Sequence, residues 1–542
     1  MERFSEEEME LLSRYCTNID GNIFALINLP QTVCGALFSR YSRSPKSLRR
    51  VLLEEFIQKP ESEFKEIVGD VNATDNQIIA TKKAEEFYER VLVGYGDDSV
   101  AELGGAHIAC ENISNIATKF LQDSRIGISP LEKSTRYVYF DHKDENGQYG
   151  FYRDKKIMES RFADEYVQVC NNLFELYSSL IEPMSKYIME KHPPPEGLSE
   201  RAYASTVRAK VCDVLRGILP ASTLTNVGLY GNGRAFEYLL TKAYSSPLGE
   251  IREIGAKMYE ELRKVIPSFV KRATDKYGVA YQEYLKESAN DTAKEVLSLL
   301  KRYEGKFGSE AEKDDVVLVD YDRDAEDKII TAIIFPHANS GLDRIMEKVK
   351  KLSPDEKRRI IEAYVGKRKN RRHKPGRAFE HVYYTFSLLG NFGMYRDLHR
   401  HRILTQERQL LTTKHGFDMP PEIVEIGREK EVSEAIGLAS ELFEKMEKSN
   451  PLEAQYVVPL GCRVRWYIKM NLREAFHFVE LRSMMQGHRD YRRVAQKIYL
   501  KIGEVHPYLA SYMRFVDMEE HPLERLEAEK RIDKKMEKLK GN

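Results

Sequence analysis

A chain that carries one pattern twice must fold as two related units or as one unit with internal symmetry. Here Pro220 is followed twelve residues later by Asn232 in the run NGRAFEY, and Pro459 is followed twelve residues later by Asn471 in the run NLREAFHF. Both copies read P-x11-N-x-R and continue into an Ala-Phe pair. Upstream, each copy has a short arginine-bearing segment at the end of a helical stretch: FLQDSRIG (Phe120–Gly127) and LHRHRIL (Leu398–Leu404). Ahead of each stands a glutamate before an apolar run, Glu102 in SVAEL and Glu380 in AFEHV. Four features in one order imply a duplication. The halves are residues 1–300 and 314–542, joined by a linker, 301–313, that overlaps the polar run Tyr303–Asp314.

The 542 residues suffice for two to four domains and for large cores. No stretch approaches the roughly 18 apolar residues a membrane span needs. The acidic N-terminus, MERFSEEEMELLSRYC, has no apolar core of a secretory signal. Lys+Arg and Asp+Glu balance at 85 each, which argues against coating by nucleic acid. Cys16, Cys34, Cys110, Cys170, Cys212 and Cys462 form no CxxC pair, the usage of reduced thiols filling a core in a cytoplasmic protein.

The periodicity predicts long helices over Arg161–Lys191, Gly249–Tyr284, Asp291–Tyr303 and Arg428–Lys448, and a charged helical tail over Asp517–Asn542, solvated or packed on a partner. Runs rich in Val and Tyr predict strands at Asp315–Asp320, Arg136–Phe140 and Val382–Phe386.

Three segments carry chemistry. Arg400-His401-Arg402 concentrates two planar donor forks suited to phosphate around an imidazole; a solvated basic turn is the plain alternative. A metal is disfavoured there, because adjacent guanidiniums repel a cation and no carboxylate pair stands nearby, so no metal site is expected. The second segment is Asn471-Leu-Arg473-Glu474-Ala-Phe-His477-Phe478-Val-Glu480-Leu-Arg482. It mixes Arg, His and Asn with apolar residues on one helix, which calls for anionic or carbonyl partners, or for internal pairing of Arg482 with Glu480 or Asp490. The third is Glu132-Lys-Ser134-Thr-Arg136-Tyr137. On an extended segment Ser134 and Arg136 share a face and form a small phosphate clasp, or simply an exposed strand.

Together these segments resemble the flavin-dependent thymidylate synthases, whose signature is RHR-x2-S-x-N-E-x-S-x-R-Y, followed downstream by an Arg before L-P, then N-x-R and a helix ending in L-R. The second half resembles the family from Asp315 to about Val516. It keeps Arg400-His401-Arg402, Pro459, Asn471, Arg473 and Leu481-Arg482, with His373 ahead of Phe379-Glu380-His381. It lacks the family's Ser and Arg, having Leu410 and Thr412, and has Gln455 where the family has the Arg before L-P. The first half resembles the family more faintly, from about Leu29 to Ala273. Its R-H-R is degraded to Asp123-Ser124-Arg125, but it keeps Glu132, Ser134, Arg136 and Tyr137, Arg216 ahead of Leu219-Pro220, and Asn232 with Arg234. Each half has lost roughly what the other retains.

The resemblance implies an α+β fold of two tandem domains, each a central, mostly antiparallel sheet with helical bundles, the second ending in the charged C-terminal helix. It implies reductive methylation of dUMP to dTMP, with methylenetetrahydrofolate and NADPH as co-substrates and FAD as cofactor. Carried over by position, Arg400, His401, Arg402, Asn471, Arg473, His477 and His373 would hold FAD. Glu132, Ser134, Arg136, Arg216, Asn232 and Arg234 would bind the nucleotide, and Arg482 would act at the uracil. The family's four-subunit sites imply a homodimer that rebuilds a pseudo-tetramer. Two alternatives stay open: a flavin- or nucleotide-binding relative without catalysis, and a nucleic-acid-binding protein using the basic run 367–377.

Overall fold

The computed structural model describes residues 4–41, 44–58, 100–303 and 314–540. The basic run therefore lies within view, whereas most of the linker lies outside the described residues. The chain divides into two compact units, Met1–Ile113 with Phe120–Lys133 and Thr225–Ser309, and Ser114–Lys119 with Ser134–Leu224 and Glu310–Asn542. This division cuts across the sequence halves: 134–224 of the first half packs with the second.

The first unit holds a three-stranded sheet of order β1-β3-β2, with β1 Gly105–Ser114, β2 Ile128–Glu132 and β3 Leu224–Asn232. β2 and β3 are antiparallel, with Ile128 opposite Gly231. The strand β3 runs into helix Gly233–Ser245, whose cap is Asn232; its Oδ1 accepts the Ala235 N–H at 2.8 Å. The helical stretch expected from Gly249 to Tyr284 is instead broken. It forms helix Gly249–Leu262, a short helix opened by Pro267, and helix Lys276–Arg302 capped by Asp275. Proline lacks the N–H and crowds the preceding turn, so the periodic pattern is interrupted there.

The second unit holds an antiparallel sheet of order β4-β5-β7-β6, with β4 Val316–Tyr321, β5 Tyr383–Asn391, β6 Thr405–Arg408 and β7 Arg463–Asn471. Along β7, Val464, Trp466, Ile468 and Met470 are buried while Arg463, Tyr467 and Lys469 are exposed, the period of two that a one-sided core demands. Helix Leu472–Arg482 follows β7, capped by Asn471, whose Oδ1 accepts the Glu474 N–H at 2.8 Å. The order β5-β7-β6 repeats β1-β3-β2, and the capping asparagines are those of the sequence repeat.

The duplication is also visible inside the second unit. Pro220 and Pro459 pair in an antiparallel bridge. The Ala221 N–H donates to Val458 O and the Leu460 N–H to Leu219 O, both at 2.8 Å. Leu219 matches Val458 and Ala221 matches Leu460 in the repeat, so each bond is the image of the other. This is a local two-fold relation between repeats within one chain.

Helices Ala163–Lys191 and Glu429–Glu447 follow the sequence reading. The charged tail forms helix Leu526–Lys540 and packs on helix Glu200–Leu215, with Arg201 bonded to Asp533 at 2.7 Å. The run Arg136–Phe140, expected as a strand, is a turn and coil. Ser134 Oγ accepts the Arg136 N–H at 3.2 Å, which uses a donor a strand would need, and the Arg136 side chain turns inward. All six cysteines are free thiols. Among the described residues no helix is long and apolar enough to cross a membrane.

Candidate functional site

Asn391 ends β5 and caps helix Phe392–Leu398, accepting the Met394 N–H at 2.8 Å. That helix carries Asp397 and delivers the chain into Arg400-His401-Arg402. Asp397 Oδ2 accepts from Arg216 Nη1 at 3.0 Å, while Oδ1 faces Arg400 Nη2 at 3.9 Å. Arg216 belongs to the other copy of the repeat, four residues before Pro220. It is 4% exposed, and its Nη2 is buried with no hydrogen-bond partner. A Cβ on Gly393 would lie 3.4 Å from Arg216 Nε, so the guanidinium rests against the helix's first turn.

Arg136 joins the same cluster but is differently engaged. Its Nε and Nη2 donate to the two oxygens of Asp213, each at 2.6 Å, and its Nη1 donates to Tyr491 Oη at 3.2 Å and Gln486 O at 3.4 Å. The Tyr491 ring lies between two arginines, 5.8 Å from Arg136 Cζ and 5.7 Å from Arg482 Cζ.

Electrostatics set the character of the cluster. Burial alone would raise the Asp397 pKa, but Arg216, then Arg400, Arg136 and Arg482, hold it well below the usual carboxylate range. Asp213 is likewise held down, by Arg136 against its burial. Asp490 is held down against burial by His488, by its bond from Asn391, and by Arg216 and Arg489. Arg136, Arg216, Arg400 and Arg482 thus stand around the buried carboxylates Asp213 and Asp397, with Asp490 and Arg489 alongside. A cavity of about 480 Å³ opens beside Arg216, lined also by Asn391, Asp418, Arg463, His488 and Arg493.

His401 is 5% exposed and sits between two partners, Glu474 Oε1 at 2.7 Å from Nδ1 and Arg482 Nε at 2.8 Å from Nε2. Burial, Arg482 and Lys374 push its pKa well below the ordinary imidazole value. The His477 ring lies 5.4 Å away, its pKa lowered to about 4, chiefly by burial. Ligand atoms of His401, Glu474 and His477 all lie within 4.8 Å of one another, so a carboxylate does stand beside the RHR histidine. A cation is still a poor fit: His401 Nε2 is taken by a guanidinium, and Lys374, Arg473 and Arg371 surround the group.

The remaining expected site residues fall into two groups. Arg400 and Arg402 are exposed beside the cluster. Asn471 is occupied as a helix cap, and Arg473 donates to Pro375 O at 2.8 Å and pairs with Glu380 at 3.1 Å. His373 is exposed, its Nδ1 accepting the Lys369 N–H at 3.3 Å. Glu132, Asn232 and Arg234 belong to the first unit. There Glu132 accepts from Gln122 at 3.0 Å, Asn232 caps its helix, and Arg234 pairs with Glu102 at 2.8 Å, the counterpart of Arg473 with Glu380. Arg482 pairs with neither Glu480 nor Asp490; Glu480 is buried on Arg368 of the basic run, with bonds of 2.7 and 2.5 Å.

Sequence reasoning missed Asp213, Asp397, Glu474 and Tyr491. The spacing held one signal, an Asp three residues before an Arg in both Asp213-x-x-Arg216 and Asp397-x-x-Arg400. Yet Asp213 bonds Arg136 and Asp397 bonds Arg216, pairings that only the fold creates.

Comparison with known proteins bears on this arrangement. A UPF0159 protein of Chlamydia pneumoniae is 42% identical over 538 residues, covering 98% of each chain. A UPF0159 protein of Thermoplasma acidophilum is 36% identical over 521 residues, 92% of this chain and 98% of its own. A flavin-dependent thymidylate synthase of Sulfolobus acidocaldarius is 28% identical over 205 residues, 36% of this chain and 75% of its own. Among solved structures, a UMP/dUMP methylase of Streptomyces cacaoi matches 37% of this chain and 94% of its own, at 17% identity and a TM-score of 0.29, a likeness too low to carry weight. The profile of the family described as thymidylate synthase complementing protein matches residues 48–268 and 317–508, and the chain belongs to that family.

Proposed function

We propose that this chain is a flavin-dependent thymidylate synthase whose one composite site takes nucleotide-binding residues from the first sequence half and flavin-binding residues from the second. The observation that carries the reading is the bond from Arg216 to Asp397, one helical turn ahead of Arg400. It joins the residue that replaces Gln455 in the repeat to the intact RHR. A buried guanidinium edge without a partner, opening on a cavity, suits the phosphate of a nucleoside monophosphate.

FAD, when bound, would supply the hydride that completes the methyl group on dUMP, the one-carbon unit coming from methylenetetrahydrofolate and the reducing power from NADPH. Arg400 and Arg402, with Lys374 and Arg371 nearby, offer it an exposed cationic rim. Asn471 and Arg473 shape that rim from within, as cap and as tether of the Pro375 segment. Arg482 faces the nucleotide and stabilises charge developing on the uracil carbonyl. The residues fit a flavin phosphate and a nucleotide phosphate together, with Arg400 and Arg402 exposed at the rim and Arg216 buried in the cluster.

A second reading, a flavin- and nucleotide-binding relative without turnover, draws on Arg136, whose donors are taken by Asp213, Tyr491 and Gln486.

The test is a two-by-two titration. Arg216→Gln is expected to weaken dUMP while keeping the yellow flavin; the double change Arg400→Ala, Arg402→Ala is expected to release flavin. Wild-type protein should form dTMP from dUMP, methylenetetrahydrofolate and NADPH. Flavin and dUMP binding without dTMP would select the second reading, and absence of both ligands would defeat the two together.

A further inference from the structure

The contacts of His401 define its protonation without any titration argument. Arginine donates through Nε and accepts nothing, so the His401 Nε2 that lies 2.8 Å from Arg482 Nε must present a lone pair. The ring is then neutral only with its proton on Nδ1, where Glu474 Oε1 at 2.7 Å accepts it. Glu474 and Arg482 stand at opposite ends of one helix, Leu472–Arg482, and His401 from the RHR segment bridges them. We propose that Glu474 is a positioning residue: by accepting the Nδ1–H of His401 it holds the imidazole in the tautomer whose Nε2 receives the Arg482 Nε–H, and so aims the guanidinium of Arg482.

The chain of contacts is directional. With Nε bonded, the Arg482 guanidinium plane is tied at its inner edge, and its Nη groups are left for the Tyr491 side and the Asp397 cluster. If the proton moved to Nε2, two N–H groups would face each other across 2.8 Å, and Arg482 would have to swing away. Neutral imidazole in water favours the Nε2–H form, so the carboxylate is needed to hold the other one. The Phe478 ring, 4.7 Å from His401, and the His477 ring leave the imidazole little room to rotate. The same trio has metal-like spacing, but a cation on His401 would require the lone pair that Arg482 occupies.

The consequence for substrate rests on the reading of Arg482 as facing the nucleotide; the tautomer itself does not. Two variants separate the cases. Glu474→Gln keeps an amide oxygen that can accept from Nδ1–H, whereas Glu474→Leu cannot accept at all. In wild-type protein labelled with 15N-histidine and 15N-arginine, His401 is expected as the neutral Nδ1–H form at pH 7, and the Arg482 Nε–H as a signal protected from exchange. Glu474→Leu should shift His401 to the Nε2–H form and lose the Arg482 protection; Glu474→Gln should retain both. In calorimetry, dUMP affinity should fall roughly ten-fold or more in the Leu variant and stay near wild type in the Gln variant. A wild-type His401 that is charged or Nε2–H overturns the proposal, as does a Leu variant with an unchanged His401 and Arg482. If the spectra behave as expected but wild type binds no dUMP, the synthase reading fails and the positioning role stands. If wild type binds dUMP and the Leu variant binds it equally well, Glu474 does not act on the substrate and the proposal falls with it.

Discussion

At the scale of single residues, two arginines expected to do the same work prove to be held differently. Arg136 is saturated: its fork is closed on Asp213 by two bonds of 2.6 Å. Removing it would leave the buried Asp213 carboxylate without its bidentate partner, a change that typically costs about 3–5 kcal/mol. Arg136→Ala is therefore expected to lower stability by that order in denaturant unfolding, and Asp213→Ala in the same chain to recover part of it in a double-mutant cycle. A fully stable Arg136→Ala would show that the pair is dispensable. Arg216 is the reverse case, with one Nη bonded to Asp397 and the other buried and unpartnered. Its exchange for Gln, the residue the other repeat carries, should weaken dUMP by roughly 10- to 100-fold, in line with about 1.5–3 kcal/mol for a charge-assisted bond. Calorimetric titration reads that loss directly.

At the scale of elements, the repeat makes paired predictions. Asn232 and Asn471 cap equivalent helices through bonds of the same length, 2.8 Å. Replacing either by Ala should cost about 1 kcal/mol. Denaturant midpoints of the two variants should move by similar amounts; a much larger shift at one would mean that its side chain does more than cap. Close packing near the local two-fold gives a sharper case. A Cβ on Gly461 would meet Phe417 Cε2 at 2.3 Å, and Gly461 also donates its N–H to Gly217 O at 2.8 Å. Gly461→Ala should destabilise by about 1–3 kcal/mol through overpacking, visible as a lowered Tm. The same segment carries Arg216, so nucleotide affinity should fall in parallel.

At the scale of the whole molecule, acid sensitivity follows from buried imidazoles. Burial is the largest cause lowering the pKa values of His401, His477, His488 and His506. The unfolded chain therefore binds more protons than the folded one once pH drops below the ordinary imidazole value of about 6.5, and stability present above that point declines as pH falls. The depressed carboxylates Asp213, Asp397 and Asp490 add a second loss below about pH 4, when the unfolded chain protonates its carboxyls and the folded one resists. Glu474, raised by burial, opposes this trend modestly. Denaturant unfolding across pH 4–8 should show stability flat above about 6.5 and falling below it; a maximum near pH 5 would contradict the argument. Much of the architecture was legible in the linear chain. The repeat, three of the long helices and the strands β4 and β5 follow from local period, which a sequence carries within a few residues, whereas Asn232 and Asn471, expected as ligand contacts, cap their helices. Local pattern misread Arg136–Phe140: the Ser134 hydroxyl takes the Arg136 N–H, and the Arg136 side chain turns inward to a carboxylate 77 positions away. The same limit applies to the site. The RHR and the arginines could be named from the sequence, but not which of them is free to meet a ligand. That depends on Asp213, Asp397 and Glu474, and a buried carboxylate chooses its guanidinium or imidazole only after the tertiary fold has removed water from both.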